Sequence, residues 1–293
     1  MGFRIKVGAA TDTGRTRDIN EDHYIIAEDM GLFLVADGLG GHNAGEVASR
    51  MAGNVIENHL NTTDDTLVGE YEEEFSLNTN RMLSGIRLAN TAIYEAGQHQ
   101  SEHQGMGTTI SSVLINRDVM TLVHVGDSRI YRIRKGRLER LTRDHTMVEE
   151  QVQRGLITKE EAEHSSHKNI ITRALGIGDT IEIDADEEVL HDHDRILLCT
   201  DGLTNMVSEG EILDIVLGNG DDPQKACQEL VNKANSNGGR DNITVVLLYC
   251  SKDVERGRGL GRAILSRIGA VKQWCRRGTG AVHKGKGERS WRR

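Results

Sequence analysis

Carboxylates recur at the ends of apolar, strand-like runs, and that recurrence is the first sign of chemistry in the chain. Asp37 closes "LFLVAD", Asp127 follows "VHVG", Asp201 comes directly after "ILLCT", Asp241 precedes "NITVVLL", and Glu21 and Asp22 precede "HYIIAE". One strand-end aspartate is an ordinary turn or cap residue. A set of them implies that the ends meet, and carboxylates that meet repel unless hard cations take their oxygens as ligands. Mg²⁺ or Mn²⁺ suits such a site better than zinc, because no His or Cys group with ligand spacing accompanies the aspartates. Gly38 and Gly40 have no side chain to hold the backbone away from a metal, so a carbonyl oxygen can join the ligands.

Two such ions side by side hold a bridging water, lower its pKa and aim it for in-line attack on phosphorus. Hydrolysis of a phosphate ester then needs a cation for the non-bridging oxygens and an acid for the leaving group. Arg17, just ahead of the acidic pair in "RDINED", offers a fixed bidentate fork. His42, in the glycine-rich loop "DGLGGH", offers the proton, which matters most when the departing group is an alkoxide of high pKa such as that of serine or threonine.

The elements that must position these residues are legible in outline. "KVGAA", "HYIIAE" and "LFLVAD" read as strands, followed by a helix whose face is Ala44, Val47, Ala48, Met51, Val55, Ile56 and Leu60. A second helix spans about 79–97 with Met82, Leu83, Ile86, Ile93 and Ala96 as its stripe. "TTISSVLI", "VMTLVHV" and "RIYRIR" predict antiparallel hairpins. Residues 146–165 predict two short polar helices broken at Gly155, an excursion too poor in apolar residues to be core. Strands return at "IEIDA", "RILLCT" and "ITVVLLYC", with helices near 208–217 and 223–236, the second opening on the lone proline, Pro223.

Composition bounds the rest. With 293 residues and 37% hydrophobic content the chain can bury a sizeable core. No run approaches the roughly 18 apolar residues of a membrane span, and no N-terminal segment reads as a signal peptide, so a cytoplasmic address is expected. Cys199, Cys227, Cys250 and Cys275 are too scattered for a disulfide framework or a zinc cluster. The net charge of −9 is unevenly placed: residues 251–293 carry 13 Lys and Arg against 3 Asp and Glu. That basic tail, with Leu260, Ile264, Ile268, Val271 and Trp274 or Cys275 on one helical face, suits an anionic membrane surface, an acidic partner or the protein's own acidic body; its plainer reading is a disordered solubilising tail. Nucleic acid is not expected as a partner.

Taken together, "GRTRDINED" (14–22), "VADGLGGHNAGEVAS" (35–49), "GMGTTISSVLI" (105–115), "HVGDSRIYRIRKGRLERLTRDHT" (124–146), "ITRALG" (171–176), "LLCTDGLTNMVSEGEI" (197–212) and "GGRDNITVVLL" (238–248) resemble, in order, the metal-dependent protein phosphatase family of the 2C type, especially its compact bacterial Ser/Thr phosphatases. The resemblance implies an α+β fold, a four-layer α-β-β-α sandwich of two antiparallel sheets flanked by helices, with residues 1–250 as catalytic domain and a mobile flap at 146–165. It implies that Asp37 bridges two ions, that Gly38 lends its carbonyl, that Asp201 and Asp241 are direct ligands, and that Glu21 and Asp22 act near the second ion partly through water. Asp127 matches a ligand of a third, weaker ion. Arg17 corresponds to the phosphate clamp and His42 to the general acid. The implied partners are phosphorylated proteins, with a Hanks-type Ser/Thr kinase to oppose, and the implied state is a monomer.

Plainer readings stand beside these. Arg17 also reads as a surface ion-pair partner, His42 as a cap of the helix that follows, Asn242 as a structural neighbour of Asp241, "HDHD" (191–194) as a solvated turn and His124 as a core histidine. A binding module that keeps the metals and docks through its tail is the reading from a different class.

Overall fold

Strands whose two faces are both apolar have to be covered twice, and the fold does so with two sheets and two helical layers. A computed structural model describes residues 2–252 except 42, 43, 63–65, 100 and 164; the tail from 253 and His42 therefore lie outside the described residues. In chain order the strands are β1 (Phe3–Asp12), β2 (His23–Ala27), β3 (Leu32–Ala36), β4 (Gly38–Leu39), β5 (Gly107–Thr108), β6 (Ile110–Asn116), β7 (Val119–Val125), β8 (Arg129–Arg134), β9 (Arg137–Arg140), β10 (Asp184–Val189), β11 (Asp194–Cys199) and β12 (Ile243–Lys252). The helices are α1 (Ala44–Asn61), α2 (Leu77–His99), α3 (Met147–Gln153), α4 (Lys159–Glu163), α5 (Asp201–Thr204), α6 (Glu209–Gly218) and α7 (Pro223–Ser236).

One sheet runs β1-β12-β11-β8-β9 and the other β10-β7-β6-β3-β2, all neighbours antiparallel, with β4-β5 as a small separate ribbon. Side chains alternate between faces of a strand, and the cores follow that period. Leu32 and Leu34 pack with α1 and α2, whereas Phe33 and Val35 face the other sheet. Val245 and Leu247 pack with α6 and α7, whereas Val246 and Leu248 join the central layer. The four-layer α-β-β-α sandwich expected of the sequence is the fold observed.

Most predicted elements recur within a few residues. "IEIDA" is displaced: Ile181 and Ile183 pack against the core without laddering, and β10 begins only at Asp184, opposite His124. Asp222 caps α7 by accepting from Lys225 N–H, with Pro223 in its first turn. Helices α3 and α4 flank Gly155, whose φ of 67° suits glycine. That excursion is not wholly surface, since Val148 and Ala162 are buried and its ends are joined by Met147 N–H to the Ile170 carbonyl and Thr172 N–H to the His145 carbonyl.

The "HDHD" reading needs correction. The segment is a turn, but Asp194 is 0% exposed: it takes two N–H groups of Arg134 at 2.6 and 2.7 Å and His191 N–H at 2.7 Å. A carboxylate this satisfied is a structural pivot between β8 and β11, not a solvated charge.

His124 is the core histidine expected. Its Nδ1 lies 2.9 Å from Ser111 Oγ, its Nε2 3.0 Å from the Arg143 carbonyl, and the His145 ring stacks obliquely at 4.9 Å. Burial, then His145, pushes the ring's pKa down to about 4, against smaller upward pulls from Asp144, the Arg143 carbonyl and Asp184. The unfolded ring, near 6.5, binds the proton first, so this group removes stability as pH falls from about 6.5 towards 4. Urea unfolding at pH 7 and pH 4 should show the wild type losing about 3 kcal/mol more than His124→Gln. Equal losses in both proteins would refute the assignment.

Candidate active site

Strand register alone carries the acidic residues to one end of the sandwich. Ala36 pairs with His23, so Asp37 and Asp22 leave β3 and β2 at the same edge. Val35 pairs with Ser111, and Val125 with Ile110, which brings the turn bearing Asp127 to that edge too. In the other sheet Cys199 pairs with Val245, so Asp201 just after β11 and Asp241 just before β12 are neighbours.

Hydroxyls lock these ends together. Thr200 Oγ donates to Asp22 Oδ2 at 2.9 Å across the two sheets and accepts from Thr244 N–H at 3.0 Å. Thr109 Oγ accepts from Asp37 N–H at 3.0 Å and meets Ser128 Oγ at 2.8 Å, tying β3 to the Asp127 turn. Asn242 organises the entering loop: its Nδ2 donates to the carbonyls of Thr13 and Ile19, and its Oδ1 accepts from Glu21 N–H at 2.8 Å. The structural reading of Asn242 thus holds within the site. Asn205, the C-cap of α5, donates to Asp201 Oδ2 at 2.9 Å.

The charges are under strain. Burial, followed by the neighbouring carboxylates, holds Asp37 well above the usual carboxylate range. Burial is also the largest cause for Asp22, pushed up to about 7, for Asp127, up to about 8, and for Asp201, up to about 6; Asp201 in turn raises Asp127, and Asp241 raises Asp201. Four buried oxygens, Glu21 Oε1, Asp22 Oδ1, Asp127 Oδ1 and Asp201 Oδ1, have no hydrogen-bond partner. Native structures pair nearly all such atoms, so oxygens left bare in one place call for a cation. Among the described residues no three acidic, His or Cys side chains form a closed cage around one point. An open arrangement suits Mg²⁺, which keeps several waters and takes one or two carboxylates at a time.

Arg17 is half exposed at the rim, with Nη2 2.9 Å from Asp241 Oδ2. The ion-pair reading of this residue is therefore present in the structure, while the other N–H groups of the fork stay available. Gly38 proves to be required by packing: a Cβ there would lie 2.2 Å from the Gly45 carbonyl oxygen and 2.6 Å from that of Glu21. Beside the cluster opens a cavity of about 600 Å³ whose wall includes Asp127, Asp201, Asn205, Arg140, Lys159 and Lys168, so the α3–α4 excursion does stand next to the carboxylates. Missed from the sequence were Arg129 and Asp144, a part-buried bidentate pair with a shortest contact of 2.6 Å that braces the Asp127 turn. The alternating arginines of β8 and "TRDH" gave the only hint.

A family model described as Protein phosphatase 2C matches residues 15–240. The chain belongs to the protein phosphatase 2C family. The serine/threonine phosphatase stp of Listeria welshimeri is 38% identical over 241 residues, covering 81% of this chain and 93% of that protein. Protein phosphatase PhpP of Streptococcus pneumoniae is 37% identical over 252 residues, covering 85% and 99%. Among solved structures, this protein phosphatase 2C member is similar to the Mycobacterium tuberculosis serine/threonine phosphatase PstP/Ppp (TM-score 0.76, 32% identity, 85% of this chain and 99% of that one). It is also similar to a PstP catalytic domain in complex with two manganese ions (TM-score 0.71, 33% identity, 85% and 99%).

Proposed function

We propose that this protein phosphatase hydrolyses phosphoserine and phosphothreonine in proteins with two divalent cations, Mg²⁺ or Mn²⁺, held at the strand-end cluster. The observation that carries the reading is the meeting of Asp37 with Glu21, Asp22, Asp127 and Asp201, the last four each with a buried oxygen left unpaired, at one end of the two sheets. Asp37, the Gly38 carbonyl, Asp201 and Asp241 are the direct ligands in this reading, Glu21 and Asp22 complete the shell, and Asp127 serves a third ion. The ions supply, when bound, a water acidic enough to attack phosphorus at neutral pH.

The chain's own groups do the rest. Asn242 and Thr200 hold the carboxylates in register, Arg17 receives the phosphoryl oxygens from its place beside Asp241, and His42 delivers a proton to the departing alkoxide oxygen. Residues 1–250 form the catalytic unit, its substrates being proteins phosphorylated by a Hanks-type Ser/Thr kinase. Among the described residues no helix is long and apolar enough to cross a membrane.

Release of phosphate from a phosphothreonine peptide should require Mn²⁺ or Mg²⁺, stop with excess EDTA and ignore okadaic acid. His42→Ala should slow that peptide at least ~10-fold more than p-nitrophenyl phosphate, whose leaving group needs little protonation. Equal losses on the two substrates would remove His42 from the acid role. No release with either metal would make the docking module the better reading.

A further inference from the structure

The segment from Leu141 to Thr146 does more than join β9 to α3, because it takes hold of the turn that carries Asp127. Leu141 N–H donates to the Ile130 carbonyl at 2.8 Å, and Thr142 Oγ accepts from Ile130 N–H at 3.1 Å. His145 then meets Gly126 twice: its N–H donates to the Gly126 carbonyl at 2.7 Å, and its Nδ1 accepts from Gly126 N–H at 3.1 Å. A backbone N–H can only donate, so Nδ1 is bare and the ring proton sits on Nε2, which faces Asp184 Oδ2 at 3.1 Å, closer than Arg173 Nη1 at 3.5 Å. Arg173 steadies Asp184 at 3.2 Å while also reaching Glu182.

The other side of the turn is equally constrained. Gly126 has a φ of 112°, and a Cβ there would fall 2.5 Å from the Thr109 side chain. The turn is therefore pressed between Thr109 and His145, and the carboxylate it carries is aimed by whatever sets those two. His145 is 5% exposed, whereas Asp184, its orienting partner on β10, is 47% exposed.

We propose that His145 is a positioning residue for the active site: its ring, oriented by Asp184, fixes the Gly126–Asp127 turn and with it the direction from which the Asp127 carboxylate reaches the cation cluster. The inference rests on the reading of Asp127 as a cation-binding carboxylate. His145 itself touches no reacting group. Its role follows the general pattern in which a hydrogen-bond partner behind a ligand sets that ligand's geometry.

Three variants of the full chain decide it. Asparagine can place Oδ1 where Nδ1 stands, keeping the acceptor for Gly126 N–H; glutamine places its amide nearer Nε2 and loses that acceptor. Mn²⁺ binding by titration calorimetry, amide exchange at Gly126 and the melting temperature are measured for His145→Gln, His145→Asn and Asp127→Asn. The expected result is that His145→Gln weakens the Mn²⁺ step that Asp127→Asn also weakens, by about 10- to 100-fold, and speeds Gly126 exchange. His145→Asn should retain both within about threefold of wild type, well inside that range. Weakened binding in Asp127→Asn with unchanged binding in His145→Gln would overturn the inference alone. Equal weakening in both His145 variants, with a falling melting temperature, would overturn it in favour of a structural role. Unchanged binding in Asp127→Asn would overturn the reading of Asp127 and the inference with it.

Discussion

Asp37→Asn is expected to lower phosphothreonine hydrolysis by at least ~10²-fold while raising the melting temperature of the metal-free protein. The two effects have one cause. Burial first, and then the nearby Asp22, Asp201, Asp127 and Asp241, hold the Asp37 carboxyl well above the ordinary range. Without cations, a neutral amide of the same shape relieves that repulsion; with cations, it removes the charge on which their binding depends. The variant should keep its hydrogen bonds, because Asp37 is tied down by its backbone to Thr108 and Thr109. Wild type should gain about 2.7 kcal/mol from Mn²⁺ at a hundred times its dissociation constant, and the variant should gain almost none. Full activity, or an undiminished Mn²⁺-induced rise in melting temperature, would sink the assignment of Asp37.

The second large effect is on folding. Gly38→Ala should cost about 3 kcal/mol or more, because both obstacles to its Cβ are backbone carbonyls that cannot rotate aside. To admit the methyl group, either the first turn of α1 moves away at Gly45 or the loop before β2 moves away at Glu21. Gly38 N–H also donates to the Glu21 carbonyl at 3.2 Å, so the same shift strips a hydrogen bond from the site. Chemical denaturation should show a lowered midpoint with an unchanged slope. Gly41→Ala, where a Cβ would meet nothing within 4 Å, is the matching control. Equal midpoints in the two variants would show that Gly38 is present for its carbonyl alone.

Gly38 illustrates how far the residues could be read in advance. Its place beside Asp37 suggested a carbonyl free to approach a metal. The closer constraint, the crossing of α1 and the 14–22 loop over it, is a contact between segments distant in sequence and has no local signature. Arg17 teaches the same lesson: its fork was legible, but its pairing with Asp241, 224 positions away, was not. Asp194 was misread because a run of His and Asp looks solvated until Arg134 from another strand is laid against it.

By itself, then, the sequence determined the elements and the chemistry they carry. Runs apolar on both faces require sheets covered on both sides, and a set of carboxylates at strand ends points to cations. Tertiary structure alone decided how the carboxylates meet, which oxygens are left bare and what braces them. Antiparallel register brings Asp37, Asp22 and Asp127 to one edge and Asp201 beside Asp241. The braces, Thr200 on Asp22 and His145 on Gly126, come from other segments of the chain. Such partners are chosen by proximity in the folded chain, where desolvation makes each unpaired donor or acceptor costly, and proximity across a sandwich leaves no periodicity to read.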